Sequence, residues 1–269
     1  MKKRLLPILL LSATTFANEP VTTFASASYF SRDDLSSTGF NLKHFFADQN
    51  SIGVWDEFGY LDTDSRISVS YRKSESDFTS SDSLYLSGEY FVDSFIVSAS
   101  HSSRSFNSEL SNVTSDDGDA NSIGLGYLFG DNLKVQTTFS DQTGVFNVSA
   151  QYSHELNSNG DYIGFTVDAD SDFNSKSISA DYFGQLQSGN YIRLGYRHDI
   201  YERSDSTTYS GSYYFSSQTS VSFATDLSFS YGVSMKHYFT PNLALRAGIT
   251  AFDVEDAENA YQLSVIGQF

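Results

Sequence analysis

The sequence predicts an all-β fold, a transmembrane antiparallel up-and-down β-barrel of about sixteen strands. Three observations predict it. Apolar and polar side chains alternate with a period of two from near residue 40 to the last residue. The composition is rich in Tyr (18), Phe (23) and Gly (18) and poor in Pro (3), as suits many strands whose two faces meet different solvents. Short, aromatic-edged turns also take turns with more acidic connections along the whole chain.

The first element, near 21–31, is a strand of ambiguous phase. The next rows are clear: Phe40/Leu42/His44/Phe46, Ile67/Val69/Tyr71, Leu84/Leu86/Gly88/Tyr90 and Phe95/Val97/Ala99/His101. Ile123/Leu125/Tyr127/Phe129, Leu133/Val135/Thr137/Phe139, Phe146/Val148/Ala150/Tyr152 and Ile163/Phe165/Val167/Ala169 follow. Ile178/Ala180/Tyr182, Ile192/Leu194/Tyr196, Tyr209/Gly211/Tyr213/Phe215 and Val221/Phe223 continue the pattern. Tyr231/Val233/Met235/Phe239, Leu243/Leu245/Ala247/Ile249 and Tyr261/Leu263/Val265/Gly267/Phe269 complete it.

Seven turns carry Gly, Asn, Asp or Pro: 46–50, 91–94, 129–132, 152–160, 183–189, 215–218 and 239–242. The other connections are acidic: 75–82, 103–120, 140–143, 170–175, 199–206 and 253–259. Seven hairpins with both termini on the turn side make about sixteen strands, an even number as such barrels require; fourteen and twelve are the nearest alternatives. A membrane strand takes roughly 9–11 residues, so the connections opposite the turns must be short. Residues 51–64 break the alternation and are read as an extra strand, an interior segment or a long crossing on the turn side.

No apolar run reaches the roughly 18 residues of a membrane helix. A soluble β-sandwich is the competing architecture. It would bury a uniform apolar face, whereas here Gly88, Ala99, Ala150, Ala180, Gly211 and Ala247 interrupt that face and aromatics gather near the run ends. Small residues at mid-depth and aromatics at the rims suit a lipid-facing belt between girdles.

Both ends of the chain fit export to an outer membrane. Residues 1–17 have a basic start (Lys2, Lys3, Arg4), an apolar stretch and a small residue before Asn18, the pattern of a signal peptide, leaving 18–269 as the barrel. Without them 13 basic residues face 33 acidic ones, a net charge of −20. Such a balance disfavours nucleic acid as a partner. The absence of Cys excludes disulfides, thiolate metal sites and N-terminal lipidation. The terminal row Tyr261, Leu263, Val265, Gly267 and Phe269 resembles the signal that barrel-assembly machinery reads.

The hairpin rhythm resembles the putative general porins of Gram-negative bacteria. The matching features are Tyr90-Phe91, Tyr182-Phe183, Tyr214-Phe215 and Tyr238-Phe239 at the turns, the Phe239-Thr-Pro-Asn-Leu243 turn, Glu57-Phe-Gly-Tyr-Leu61 and the terminal Phe269. The resemblance implies a passive channel for small hydrophilic solutes and ions in the outer membrane, with both termini periplasmic. It implies outer-membrane lipid, lipopolysaccharide and the assembly machinery as partners, no cofactor, and a homo-trimer as one open assembly. The alternative is a non-conducting barrel for adhesion, surface recognition or envelope anchoring.

By phase, Lys43, Arg66, Arg72, Lys134, Arg193, Arg197, Lys236 and Arg246 point into the lumen, with Glu89, Asp168 and Asp181 as the inward acids. Charges on the lipid face cost roughly 2–4 kcal/mol at mid-depth, so an inward bias is imposed by the membrane. In many general porins the third external loop folds inward. Here that loop is 103–120, and the resemblance makes Glu109, Asp116, Asp117 and Asp119 the candidate constriction, facing the basic wall to set up a transverse field. The bland reading is a solvated surface loop.

Asp168-Ala-Asp-Ser-Asp172 looks like the start of a calcium loop but lacks its Gly and Glu, so a hydrated tip is expected, as it is for the acids Asp253, Glu255, Asp256 and Glu258. All five His (His44, His101, His154, His198, His237) fall on the lipid-facing phase near run ends. They read as girdle residues rather than as the base of an enzyme, and no nucleotide or zinc motif is present.

Overall fold

The computed structural model describes residues 20–109, 116–226, 230–253 and 257–269. Sixteen strands run β1 Val21–Arg32, β2 Leu35–Gln49, β3 Arg66–Glu75, β4 Thr79–Val92, β5 Phe95–Ser108, β6 Asp116–Phe129, β7 Leu133–Ser140 and β8 Phe146–Glu155. They continue with β9 Tyr162–Asp170, β10 Ser175–Gln185, β11 Tyr191–Tyr201, β12 Ser204–Tyr214, β13 Thr219–Asp226, β14 Ser230–Thr240, β15 Leu243–Phe252 and β16 Ala260–Gln268. Each strand pairs antiparallel with its sequence neighbours, and β1 pairs with β16, so the sheet closes on itself. Closure leaves no free sheet edge, as a structure surrounded by hydrocarbon requires.

The register confirms the predicted phase. Phe40 lies opposite Tyr71, Leu42 opposite Val69, and Leu245 opposite Val265, each an apolar row carried across the seam between strands. These rows face outward: Ile123 and Leu125 are 67% and 66% exposed, and Phe95, Tyr90 and Phe239 are comparably bare. An apolar belt of that extent is stable only against lipid tails. Facing the other way, Ser68 meets Ser87, Ser212 meets Ser222 and Asn41 meets Ser70, rows of hydroxyls and amides lining the interior.

Aromatic residues ring the barrel end that holds the termini. Phe95 packs edge-on against Tyr127 at 5.1 Å, Tyr127 against Phe129 at 4.7 Å, Tyr213 against Phe215 at 4.8 Å and His237 against Phe239 at 5.1 Å. His44 and His237 lie near the same end, whereas His198 sits near the opposite end of β11. His44, His198 and His237 share hydrogen bonds with Thr23, Thr207 and Thr219 on neighbouring strands at 2.8–2.9 Å. At the opposite end several connections are as short as the length arithmetic demands. Asp33-Asp34 and Glu202-Arg203 are two-residue links, Asp33 taking the left-handed conformation of a tight hairpin (φ 50°).

Two sequence expectations change. The run 46–50 is not a hairpin turn: β2 continues to Gln49, and the chain then runs from 50 to 65 inside the barrel before β3 begins. Of the three readings of 51–64, the interior segment is the one observed. Residues 103–108 and 116–120 are strand rather than loop: the β5–β6 ladder continues through Ser103↔Asp119, Ser105↔Asp117 and Phe106↔Asp116, and the predicted loop's residues 110–115 lie outside the described residues.

Candidate functional site

The eight predicted basic residues all occupy the lumen phase. Lys43 lies opposite Ser68, Arg66 opposite Glu89, Arg193 opposite Ser212, Arg197 opposite Thr208, and Lys236 opposite Arg246, while Arg72 and Lys134 sit opposite Gly39 and Gln151. Asp168 and Asp181 share it through Ser177 and Gly195. What the alternation could not show is how most of these charges are satisfied. The partners come largely from the segment 50–65.

That segment leaves the end of β2, enters the lumen at the termini end, and touches the wall on many sides. Phe46 N–H bonds the Ser65 carbonyl at 2.9 Å and closes its neck. Tight turns follow, with Ile52 N–H to the Glu57 carbonyl at 2.6 Å. Gly53 permits this path twice over: its φ is +70°, and a Cβ there would lie 2.4 Å from the Tyr191 ring. Val54, fully buried, packs with Tyr162 (2% exposed), Phe183 (0%) and Tyr214 (5%), flanked by Ile52, Tyr60 and Tyr191. A small apolar core therefore sits inside a lumen that is otherwise polar. Trp55 meets the Tyr238 ring edge-on at 5.8 Å; its backbone N–H donates to the Ser217 carbonyl at 3.1 Å, and its carbonyl accepts from the Gln268 amide at 3.0 Å. Phe58 packs edge-on against Phe24 at 4.9 Å.

Three charge clusters tie the segment to the wall. In the first, Asp62 is held by Arg66 and by Lys43 at 3.5 Å, Arg66 also lies 3.7 Å from Glu89, and Lys134 pairs closely with Glu89. Lys134 and Glu89 are 4% and 8% exposed, so this pair is dry and its charges depend on one another. In the second, Glu57, 2% exposed, accepts from the Tyr162 hydroxyl at 2.9 Å, from Gly59 N–H at 3.2 Å and from Arg193 at 3.3 Å. Arg193 also donates twice to Asp181 at 3.1 Å. Burial pushes the Glu57 carboxyl above the usual carboxylate range, against the pull of Arg193 and of the Tyr162 and Gly59 hydrogen bonds. In the third, Asp56 pairs with Lys236.

The remaining predicted residues stand apart from the segment. Arg197 pairs with Asp199 on its own strand at 2.8 Å, and Asp168 accepts from Ser177 at 2.9 Å. Arg246 is exposed to the lumen and donates to Ser234 at 3.1 Å; among the described residues it has no carboxylate partner, and neither does Arg72. Arg104 shares the lumen phase opposite Ser83 and was missed because no clear row surrounds it.

Among the predicted constriction residues whose side chains are described, none pairs with the basic wall. Asp117 and Asp119 lie on the phase of Ile123 and Leu125, which faces outward, beyond the belt. Glu109 is exposed at the end of the hairpin, its N–H bonded to the Phe78 carbonyl at 2.9 Å. Asp116 pairs through its backbone with Phe106. The predicted calcium-like acids are occupied locally: Asp170 caps Asn174 and Ser175 N–H at 2.8 and 3.0 Å. Of the second acidic cluster, Glu255 and Asp256 lie outside the described residues.

The residues of the interior segment that sequence reasoning missed are thus Asp56, Glu57 and Asp62. Their signal was present as an interruption: a stretch without alternation, holding the only Trp, two Gly and a concentration of acids. In the terminal row, Leu263 lies opposite Tyr29 and Val265 opposite Ala27.

Solved structures share this architecture. The Acinetobacter baumannii outer membrane protein Omp33 superposes with a TM-score of 0.54 at 13% identity, covering 93% of this chain and 99% of that one. CdiB from Acinetobacter baumannii superposes with a TM-score of 0.60 at 11% identity, covering 94% of this chain and 61% of that one. At such identities the likeness speaks for the fold alone. A comparison with curated proteins finds no match. A family model described as "Putative general bacterial porin" matches residues 1–269, the whole chain. With its closed sixteen-strand barrel, lipid-facing belt and charged lumen, the chain belongs to that family and is an outer-membrane porin.

Proposed function

We propose that the barrel passes small hydrophilic solutes and ions by passive diffusion, with selectivity set by the lumen charges. One observation carries this reading: a closed sixteen-strand sheet whose inner face bears hydroxyls, amides and the eight predicted cations. Barrels of this strand number enclose an aqueous channel rather than a packed core. Lys43, Arg66, Arg72, Lys134, Arg193, Arg197, Lys236 and Arg246 line it, with Glu89, Asp168 and Asp181 as its wall acids. The protein acts as a channel and not as an enzyme, a reading supported by its family and by His side chains that all lie on the outer phase.

Residues 1–17 direct export and are removed, and both termini face the periplasm. The outward row Tyr261–Phe269 is what the assembly machinery reads, and the belt contacts lipid and lipopolysaccharide. A homo-trimer would bury part of that belt. A second reading, a non-conducting barrel that anchors or adheres, is favoured by the apolar core around Val54, which fills part of one end. Planar bilayers separate the two. Purified protein is expected to give discrete conductance steps, and a membrane that stays silent at high protein load sinks the diffusion reading.

A further inference from the structure

The interior segment does more than occupy space, and its placement determines where a solute can pass. It enters from the termini end and is fastened to strands on opposite sides of the bore: to β3 through Asp62, to β9 and β11 through Glu57, and to β14 through Asp56. Tyr60 reaches the middle of β9, where its hydroxyl and that of Thr166 share a hydrogen bond of 2.6 Å. Gly164 makes room for it, since a Cβ there would lie 2.3 Å from the Tyr60 ring. The Val54 core is dry and the flanking carboxylates are paired, so the segment is held on both its apolar and its polar side. Open volume remains inside the barrel. One opening, of about 410 Å³, lies between Asp56 and the wall bearing Arg193, Lys236 and Arg246. Another, of about 200 Å³, lies against Arg66 and Glu89.

We propose that residues 50–65 are the constriction of this pore, a fixed bar built from the termini end, and that solutes pass mainly over its Asp56 edge beside Arg246. The described parts of the β5–β6 connection, 103–108 and 116–120, continue the barrel wall. The bar narrows the channel by occupying its cross-section, while the Asp56–Lys236 pair and the cation Arg246 line the opening of about 410 Å³. Its fastening makes it a permanent filter rather than a lid, because undocking would expose Val54 and leave the Glu57 carboxylate and Arg193 without each other.

This inference rests on the diffusion reading, and the test separates the two. Residues 51–64 are replaced by a short Gly-Ser turn in the full chain, folding is checked by heat-modifiable migration, and single-channel conductance is measured beside the parent. The expected result is a rise of about threefold or more, since the barrel itself is wide enough for an aqueous channel. A parallel deletion of 105–118 is expected to leave conductance within about a quarter of the parent value. A conducting parent whose conductance is unmoved by the first deletion overturns the constriction alone. If both parent and deletion stay silent, the proposal falls together with the diffusion reading. A silent parent with a conducting deletion overturns both the diffusion reading and passage over the Asp56 edge, and makes the segment a plug.

Should the deletion misfold, a milder variant decides. The chain has no Cys, so Asp56→Cys offers a unique thiol. Its modification by a bulky water-soluble thiol reagent is expected to cut the current at least about twofold, whereas the same treatment of Asp117→Cys leaves it unchanged. Block at position 117 and none at 56 overturns the assignment.

Discussion

Glu57 offers the sharpest test of how the interior segment is held. Truncation by Glu57→Ala removes the acceptor of the Tyr162 hydroxyl, which is 2% exposed and has no other partner within the Val54 core. An orphaned buried hydroxyl costs about 1–3 kcal/mol, and the lost packing adds to this. Arg193 is penalised less, because its side chain is 40% exposed and keeps both bonds to Asp181. The expected total is about 2–3 kcal/mol, roughly a 30- to 150-fold shift in the docking equilibrium of the segment. Glu57→Gln behaves differently. The amide oxygen still accepts from Tyr162 and Gly59, only a half-exposed ion pair worth about 0–1 kcal/mol is lost, and a buried charge disappears.

The assay is amide exchange of residues 50–65 by mass spectrometry in micelles. Exchange in Glu57→Ala is expected to quicken by roughly 30- to 150-fold and in Glu57→Gln by less than about fivefold. The pH dependence carries its own sign. Docking raises the Glu57 pKa, so this group favours the docked state most at acid pH and loses that contribution as pH rises through the raised value. Glu57→Gln therefore abolishes that part of the slope. Equal acceleration in both variants would refute the reasoning, because it would mean that charge and not hydrogen bonding holds the segment.

Other consequences follow from the same geometry. Lys134→Met leaves Glu89 buried without its closest partner and is expected to destabilise the folded barrel by about 3–5 kcal/mol in urea titrations, with much of the loss recovered in Lys134→Met/Glu89→Gln. Gly164→Ala should drive the Tyr60 ring from its seat, quickening exchange in 50–65 while leaving strand amides protected; an unchanged pattern would show that the ring is not seated there. Arg246→Gln removes an exposed lumen cation without orphaning a carboxylate, so reversal potentials in a salt gradient should move toward cation selectivity. Arg197→Gln leaves Asp199 beside the bore and should move them the same way, by less if transport is limited at the bar.

Much of the barrel was legible in the residues. Period two assigns faces wherever one side meets lipid and the other water, because a slip of one residue would put Ser and Arg into hydrocarbon. That is why rows such as Leu42/Val69 and Leu245/Val265 lie where the alternation put them. The phase of the first strand, ambiguous in isolation, is settled by pairing: Phe24 lies opposite Lys43 and Gln268, on the lumen side, where Phe58 and Phe45 cover it.

The constriction was not legible in the same way. Residues 50–65 have no periodic face, because they pack in turn against rings, carbonyls and cations from strands far apart in sequence. Glu57 meets Tyr162 and Arg193 across more than a hundred residues, and Gln268 closes on Trp55 from the far end of the chain. Which acids would neutralise the basic wall depended on that path, since Coulomb attraction and hydrogen bonding act over a few ångströms whatever the separation along the chain. Local alternation determined the wall of the barrel; only closure of the sheet, which brings β3, β9, β11 and β14 around one lumen, decided what stands inside it.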